Sequence, residues 1–149
     1  MDTRDIERFI RRDRDCRSMF QGVFSSDTLP ENPRLLICNT DPSHMPGRHW
    51  IAIYVDQHGR GEYFDSFGRP PDACFKRYMN KHCGHRWTFN NRQLQSIISS
   101  FCGHYCCFYC LFRSRGVNMN RIVSHFTSDT AFNDSIVHSF VCNKHIETC

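Results

Sequence analysis

Four residue types that together carry out acyl transfer occur along the chain in the order histidine, aspartate, glutamine, cysteine, at His49, Asp65, Gln95 and Cys102. Cys102 opens the stretch CGHYCCFYCLFR, an apolar and aromatic run long enough to favour a helix over a strand. A thiol in the first turn of such a helix meets exposed backbone N–H groups and the positive end of the helix dipole, which stabilise its thiolate. His49 is the candidate base. A carboxylate such as Asp65, bonded to one ring nitrogen, fixes the tautomer and leaves the other nitrogen to take a proton near neutral pH. Gln95, seven positions before Cys102, carries an uncharged amide donor of the kind that completes an oxyanion hole without competing for the charge of the thiolate. Gly103 permits close approach of another chain.

Taken singly, each residue also has a plainer reading. A lone cysteine is more often a small buried hydrophobe, Asp65 after an aromatic strand is often a turn former, and His44, in the loop before His49, is the rival base. Trp50 reads as a packing residue that shields the His49 imidazole. The chain holds ten cysteines. Cys106, Cys107 and Cys110 are read as packing residues of the helix, and the thiols as mostly free. The competing reading is zinc, with Cys107 and Cys110 in C-x-x-C spacing and Cys142, His145 and Cys149 as further ligands. A C-x-x-C pair within an unbroken helix lacks the turn that lets two thiolates grip one ion, so no metal is expected.

The elements that must position these residues can be read from periodicity and turn chemistry. Ile6, Phe9 and Ile10 recur at helical spacing after the capping types Asp2 and Thr3, predicting a helix over residues 3–13. SSDTLPENP is a loop, RLLIC (34–38) a buried strand, and HWIAIYVDQHGRGEYFDSFG a hairpin turning around Gly59. His49 then enters one strand and Asp65 leaves the other, at the same edge of the sheet. With a turn over 57–60 the ladder pairs Asp65 with Ala52, so His49 must lie in the entering loop, off the ladder, to reach the carboxylate. A short helix over 72–80, a strand at 86–89 and helical stretches at 119–127 and 129–146 complete an α+β chain with a small, mostly antiparallel sheet packed with helices. Residues 1–149 read as a single domain.

Composition narrows the class further. The 40% apolar and 13% aromatic content is that of a globular protein. The charge-dense start MDTRDIERFIRRDRD is unlike a secretion signal, and no apolar run approaches a membrane span, so a soluble, intracellular protein without a membrane partner is expected. The net charge of +4 is modest. The N-terminal arginines alternate with Asp5, Glu7, Asp13 and Asp15, which reads as a solvated helix face before it reads as a DNA contact.

The quoted residues resemble the adenovirus-type cysteine proteases (adenain, peptidase family C5), within the wider group that includes the ubiquitin-like-protein proteases. GRHWIAI is similar to the histidine motif, YFDSFG to the acid motif, and QSIISSFCGHYCCF to the glutamine and nucleophile segment; FQGVFSSDTLP and LLICNT are similar to the family's early loop and strand. Papain-like enzymes place the cysteine first. The seven-position step from Gln95 to Cys102 and the CG-x-x-CC pattern resemble adenain more than the ubiquitin-like-protein proteases. SIISSF departs from the family pattern by lacking its usual asparagine and proline. The resemblance implies an adenain-like cysteine-proteinase fold with the nucleophile at a helix N-terminus. It also implies an endopeptidase that cleaves beside glycine-type residues through a Cys-His-Asp triad with a Gln oxyanion hole. Its substrate would be a capsid precursor, cleaved by a monomer in the host nucleus or virion, or alternatively a ubiquitin-like conjugate. A catalytically inactive binding module of the same fold is the third reading. Family members are stimulated by a peptide bonded to an enzyme cysteine and by DNA. Cys74 and Cys83 are the thiols open to such a peptide, but no residue pattern requires either cofactor.

Overall fold

In a computed structural model that describes residues 1–146, the elements run α1 (Thr3–Arg12), α2 (Arg14–Arg17), β1 (Phe20–Ser25), β2 (Leu35–Asn39), β3 (Trp50–Val55), β4 (Gly61–Phe64), α3 (Ala73–Cys83), β5 (Trp87–Phe89), α4 (Cys102–Arg113), α5 (Met119–Ser124) and α6 (Thr130–Ile146). Asp2 caps α1 in a reciprocal box, accepting from the Asp5 N–H while the Asp5 carboxylate accepts from the Asp2 N–H. Asp72 caps α3 through the Phe75 N–H. No side chain caps α4, whose first residue is Cys102, so the N–H groups of its first turn stay available to another acceptor.

The five strands lie in sequence order in one sheet. The expectation of a mostly antiparallel sheet is corrected here: β2, β3 and β4 are antiparallel neighbours, but both outer pairs, β1 with β2 and β4 with β5, are parallel. Parallel neighbours need a crossover, and α3 supplies it between β4 and β5. Strand β1 carries a register shift between Phe20 and Gly22. The hairpin turn is closed by Asp56, whose carboxylate accepts from the backbone N–H groups of His58 and Arg60.

Alternation along the strands divides the core in two. Leu35, Ile37, Ala52 and Phe64 face α1 and α4, where they meet Ile6, Ile10, Cys106, Cys110 and Tyr109. Leu36, Cys38, Ile51, Ile53 and Tyr63 face α3 and meet Phe75, Met79 and Cys83. The central helix α4 is therefore clamped between the sheet and the outer helices, which fixes the position of its first residue. Among the described residues, no helix is long and apolar enough to cross a membrane.

Candidate active site

The site forms where the N-terminal end of β3, the C-terminal end of β4 and the start of α4 converge. The ladder pairs Ala52 with Phe64, one residue off the expected register, so Asp65 falls opposite Ile51. His49 precedes β3, as the geometry demanded, and its carbonyl accepts from the Thr40 N–H at 2.9 Å. From that loop its Nε2 reaches Asp65 Oδ1 at 2.7 Å. The same carboxylate oxygen accepts from the Phe67 N–H at 2.8 Å. Asn90 holds the Asp65 backbone from both sides, its Oδ1 accepting from the Asp65 N–H and its Nδ2 donating to the Asp65 carbonyl.

With Nε2 committed to Asp65, the interaction of the His49 imidazole with Cys102 falls to the other ring nitrogen. Burial works against an imidazolium at His49, yet the bonds to Asp65 and to Cys102 outweigh it and push its pKa up to about 9. Burial also opposes a thiolate at Cys102. The bond from His49, together with the Trp50 and Gly103 backbone N–H groups, overcomes that penalty and holds the thiol below its ordinary value. The other helix cysteines go the opposite way: burial pushes Cys106, Cys107 and Cys110 up. Cys102 is thus set apart from its neighbours by position, with an imidazolium and two peptide dipoles aimed at its sulfur.

Gln95 is fully buried. Its Oε1 accepts from Ser66 Oγ at 2.6 Å, and its Nε2 donates to the carbonyl and the hydroxyl of Ser99 at 3.1 and 3.0 Å. Its backbone N–H and that of Leu94 both donate to the Ser66 carbonyl. The structure therefore brings His49, Gln95 and Cys102 to one cleft, of about 690 Å³, that they line together with Met45, Ile97 and Ser99, with Asp65 buried behind His49. The amide of Gln95 is engaged by the loop rather than open to the cleft.

Several residues that the sequence did not single out complete the site. Phe67 lies against the His49 imidazole, with ring centroids 4.8 Å apart. The Trp50 indole N–H donates to the Met1 carbonyl, and a Cβ on Gly103 would meet Met1 and Trp50 at 3.2 and 3.3 Å. Gly103 thus admits the chain's own N-terminal segment. Ser66, Ser99 and Asn90 act through hydrogen bonds that no local pattern announces. His44 is exposed, and it is His49 that Asp65 engages.

The nine cysteines among the described residues are free thiols. Cys107 and Cys110 are buried in the core, and no group of three metal-binding side chains exists among the described residues. Cys149, and the side chain of His145, lie outside them. Cys74 is half-buried and Cys83 buried against Gly61.

No family model matches the chain. A cysteine protease of African swine fever virus is 31% identical over 105 residues, covering 62% of this chain and 38% of the relative. A second relative from that virus, named a SUMO-1 cysteine protease, is 29% identical over 116 residues, 70% of this chain and 42% of its own. The chain spans about two fifths of the length of these curated relatives. The crystal structure of the African swine fever virus protease superposes with a TM-score of 0.51 at 28% identity, over 70% of this chain and 43% of that one. The central domain of an uncharacterized Legionella pneumophila protein superposes with a TM-score of 0.56 at 12% identity, over 97% and 94%, a likeness of fold alone. The chain is similar to viral cysteine proteases and shares their mixed α+β fold, a similarity that supports the wider protease group without singling out its adenain branch.

Proposed function

We propose that the chain is a thiol protease in which Cys102 is the nucleophile, His49 the base and acid, Asp65 the residue that orients His49, and Gln95 part of the oxyanion site. The observation that carries this reading is the 2.7 Å bond from His49 Nε2 to Asp65, which leaves the other imidazole nitrogen to a thiol at the start of α4. In the reaction, the Cys102 sulfur adds to the scissile carbonyl carbon and the carbonyl π pair moves to oxygen. The resulting oxyanion collapses, breaking the C–N bond, while the His49 imidazolium gives its proton to the leaving amine. Water, deprotonated by His49, then attacks the thioester and releases the acid with Cys102 restored.

Of the substrate classes open to such an enzyme, a ubiquitin-like conjugate cleaved after a glycine tail is better supported than a capsid precursor, because a relative carries the name SUMO-1 cysteine protease. The test uses SUMO-1 and ubiquitin carrying a C-terminal vinyl sulfone, alongside limiting iodoacetamide mapped by mass spectrometry. Covalent capture of Cys102 by the SUMO-1 probe, lost in His49→Ala, is the expected result. Selective iodoacetamide labelling of Cys102 without capture by either protein probe would overturn the substrate class alone. Labelling no faster than at the other cysteines would overturn the protease reading.

A further inference from the structure

The hydrogen bonds of Gln95 leave its amide in an unexpected position for an oxyanion donor. The side chain has no exposed surface, and its amide nitrogen is taken up by Ser99, a half-buried residue that lines the same cleft as Cys102. The orientation of the amide is fixed at both ends. Ser66 Oγ donates to Oε1, and the Ser99 carbonyl can only accept, so a flipped amide would set two oxygens against each other at the 3.1 Å now spanned by a hydrogen bond. Ser99 itself is held by its N–H, which donates to the Ser96 carbonyl.

Ser99 Oγ accepts from Gln95 Nε2 at 3.0 Å. An accepting hydroxyl keeps its own proton to donate, and among the described residues no acceptor takes it. A hydroxyl whose oxygen accepts a hydrogen bond becomes a stronger donor, because successive hydrogen bonds polarise one another. We infer that Ser99 is a catalytic residue, its hydroxyl presenting the donor capacity of the buried Gln95 amide to the oxyanion formed when Cys102 adds to a carbonyl. The proton stays on Ser99 throughout; the oxyanion accepts the O–H hydrogen bond and returns its electron pair when the intermediate collapses. The inference rests on the thiol protease reading, and it has a rival with the opposite sign: Ser99 as a latch that covers an amide meant to face the oxyanion directly.

Two small reagents separate these without a natural substrate. Acetylation of Cys102 by p-nitrophenyl acetate passes through a tetrahedral oxyanion, whereas alkylation by iodoacetamide is a displacement that forms none. Both are read on the full chain as modification of the Cys102 peptide by mass spectrometry. Ser99→Ala is expected to slow acetylation on the order of 100-fold, the usual scale for one lost oxyanion donor, with alkylation unchanged. Gln95→Ala should do the same, the double variant should be no slower than the slower single one, and Ser99→Thr, which keeps the hydroxyl, should restore acetylation. Acetylation of Ser99→Ala as fast as or faster than wild type would overturn the relay in favour of the latch. Equal slowing of both reactions would also overturn it, because the loss would then lie in the thiolate. Failure of the underlying protease reading shows separately, as wild-type Cys102 alkylating no faster than an ordinary thiol.

Discussion

Replacing Asp65 with asparagine removes a charge while keeping the shape of the side chain and an acceptor for the Phe67 N–H, now bonded at 2.8 Å. Raising His49 from its ordinary 6.5 to about 9 corresponds to about 3 kcal/mol of preference for the imidazolium, at about 1.4 kcal/mol for each tenfold step. That preference is shared between Asp65 and the Cys102 thiolate and is net of the cost of burial. The pair is well shielded, with side chains 14% and 6% exposed, so little of it is screened away. If the carboxylate supplies about half, its loss lowers the His49 pKa by roughly one pH unit and raises that of Cys102 in step, since each charge stabilises the other. The thiolate–imidazolium pair exists between the lowered pKa of Cys102 and about 9 for His49; below this window the sulfur is protonated, above it the imidazole is neutral. Asp65→Asn should therefore narrow the window from both sides. The low-pH onset of Cys102 alkylation moves up by about one pH unit, and the His49 ring titration, followed by NMR, moves down by a similar amount. Unchanged onset and ring titration in Asp65→Asn would refute the electrostatic role given to the carboxylate and reduce it to a packing partner.

Three further perturbations test the surrounding scaffold. Gly68 has φ +69° and a Cβ there would lie 2.4 Å from the Arg92 carbonyl carbon, so Gly68→Ala should destabilise the fold by about 3 kcal/mol or more in urea unfolding; an unchanged midpoint would contradict the packing of the Asp65 turn. Tyr109 donates to Glu62 at 2.6 Å from within the core, at the end of the sheet away from Cys102. Tyr109→Phe should cost about 2 kcal/mol of stability in the same assay while leaving the alkylation profile of Cys102 unmoved, and a shifted profile would mean the two ends of the sheet are coupled. Dialysis against a chelator should change neither the thermal unfolding nor the labelling of Cys102, and a loss of either would revive a metal site at the C-terminal cysteines.

What could be read from the sequence follows how local each signal is. Helix α4 was legible to its bounds because its apolar run is unbroken from Cys102 to Arg113, and the hairpin because Asp56 and Gly59 supply its turn chemistry. Strand β1 was not: the family resemblance reads FQGVFSSDTLP as a loop, whereas Phe20–Ser25 is a strand, its alternation interrupted by Gly22 and a register shift. The parallel pairing of β4 with β5 depends on where α3 packs, which periodicity does not record. At the site, residue types taken together with their order and the family resemblance singled out His49, Asp65, Gln95 and Cys102, which the structure brings near one another. They were not enough for Ser66 and Ser99: serine has no strong preference for a cleft, and their role lies in which buried amide atoms they meet. The aromatic cover over His49 was hidden for a related reason. Alternation along β3 predicts which side of the sheet a ring takes, but not that Phe67, beyond the opposite strand, would fill the space over the imidazole.

The short segment from Asp65 to Gly68 ties these observations together. Asp65 holds His49 through Oδ1, and the next residue holds Gln95 twice and its neighbour once: the Ser66 carbonyl accepts from the Leu94 and Gln95 N–H groups, and its hydroxyl donates to the Gln95 amide. Phe67 covers the imidazole, and Gly68 lets the Arg92 backbone come close. The proposed base and the proposed oxyanion residue are therefore held by adjacent residues of one turn. Cys102, the proposed nucleophile, comes from elsewhere, on a helix packed between the sheet and the outer helices. A site built this way tolerates divergence over most of the chain, provided that the turn after β4 and the first turn of α4 keep their relation.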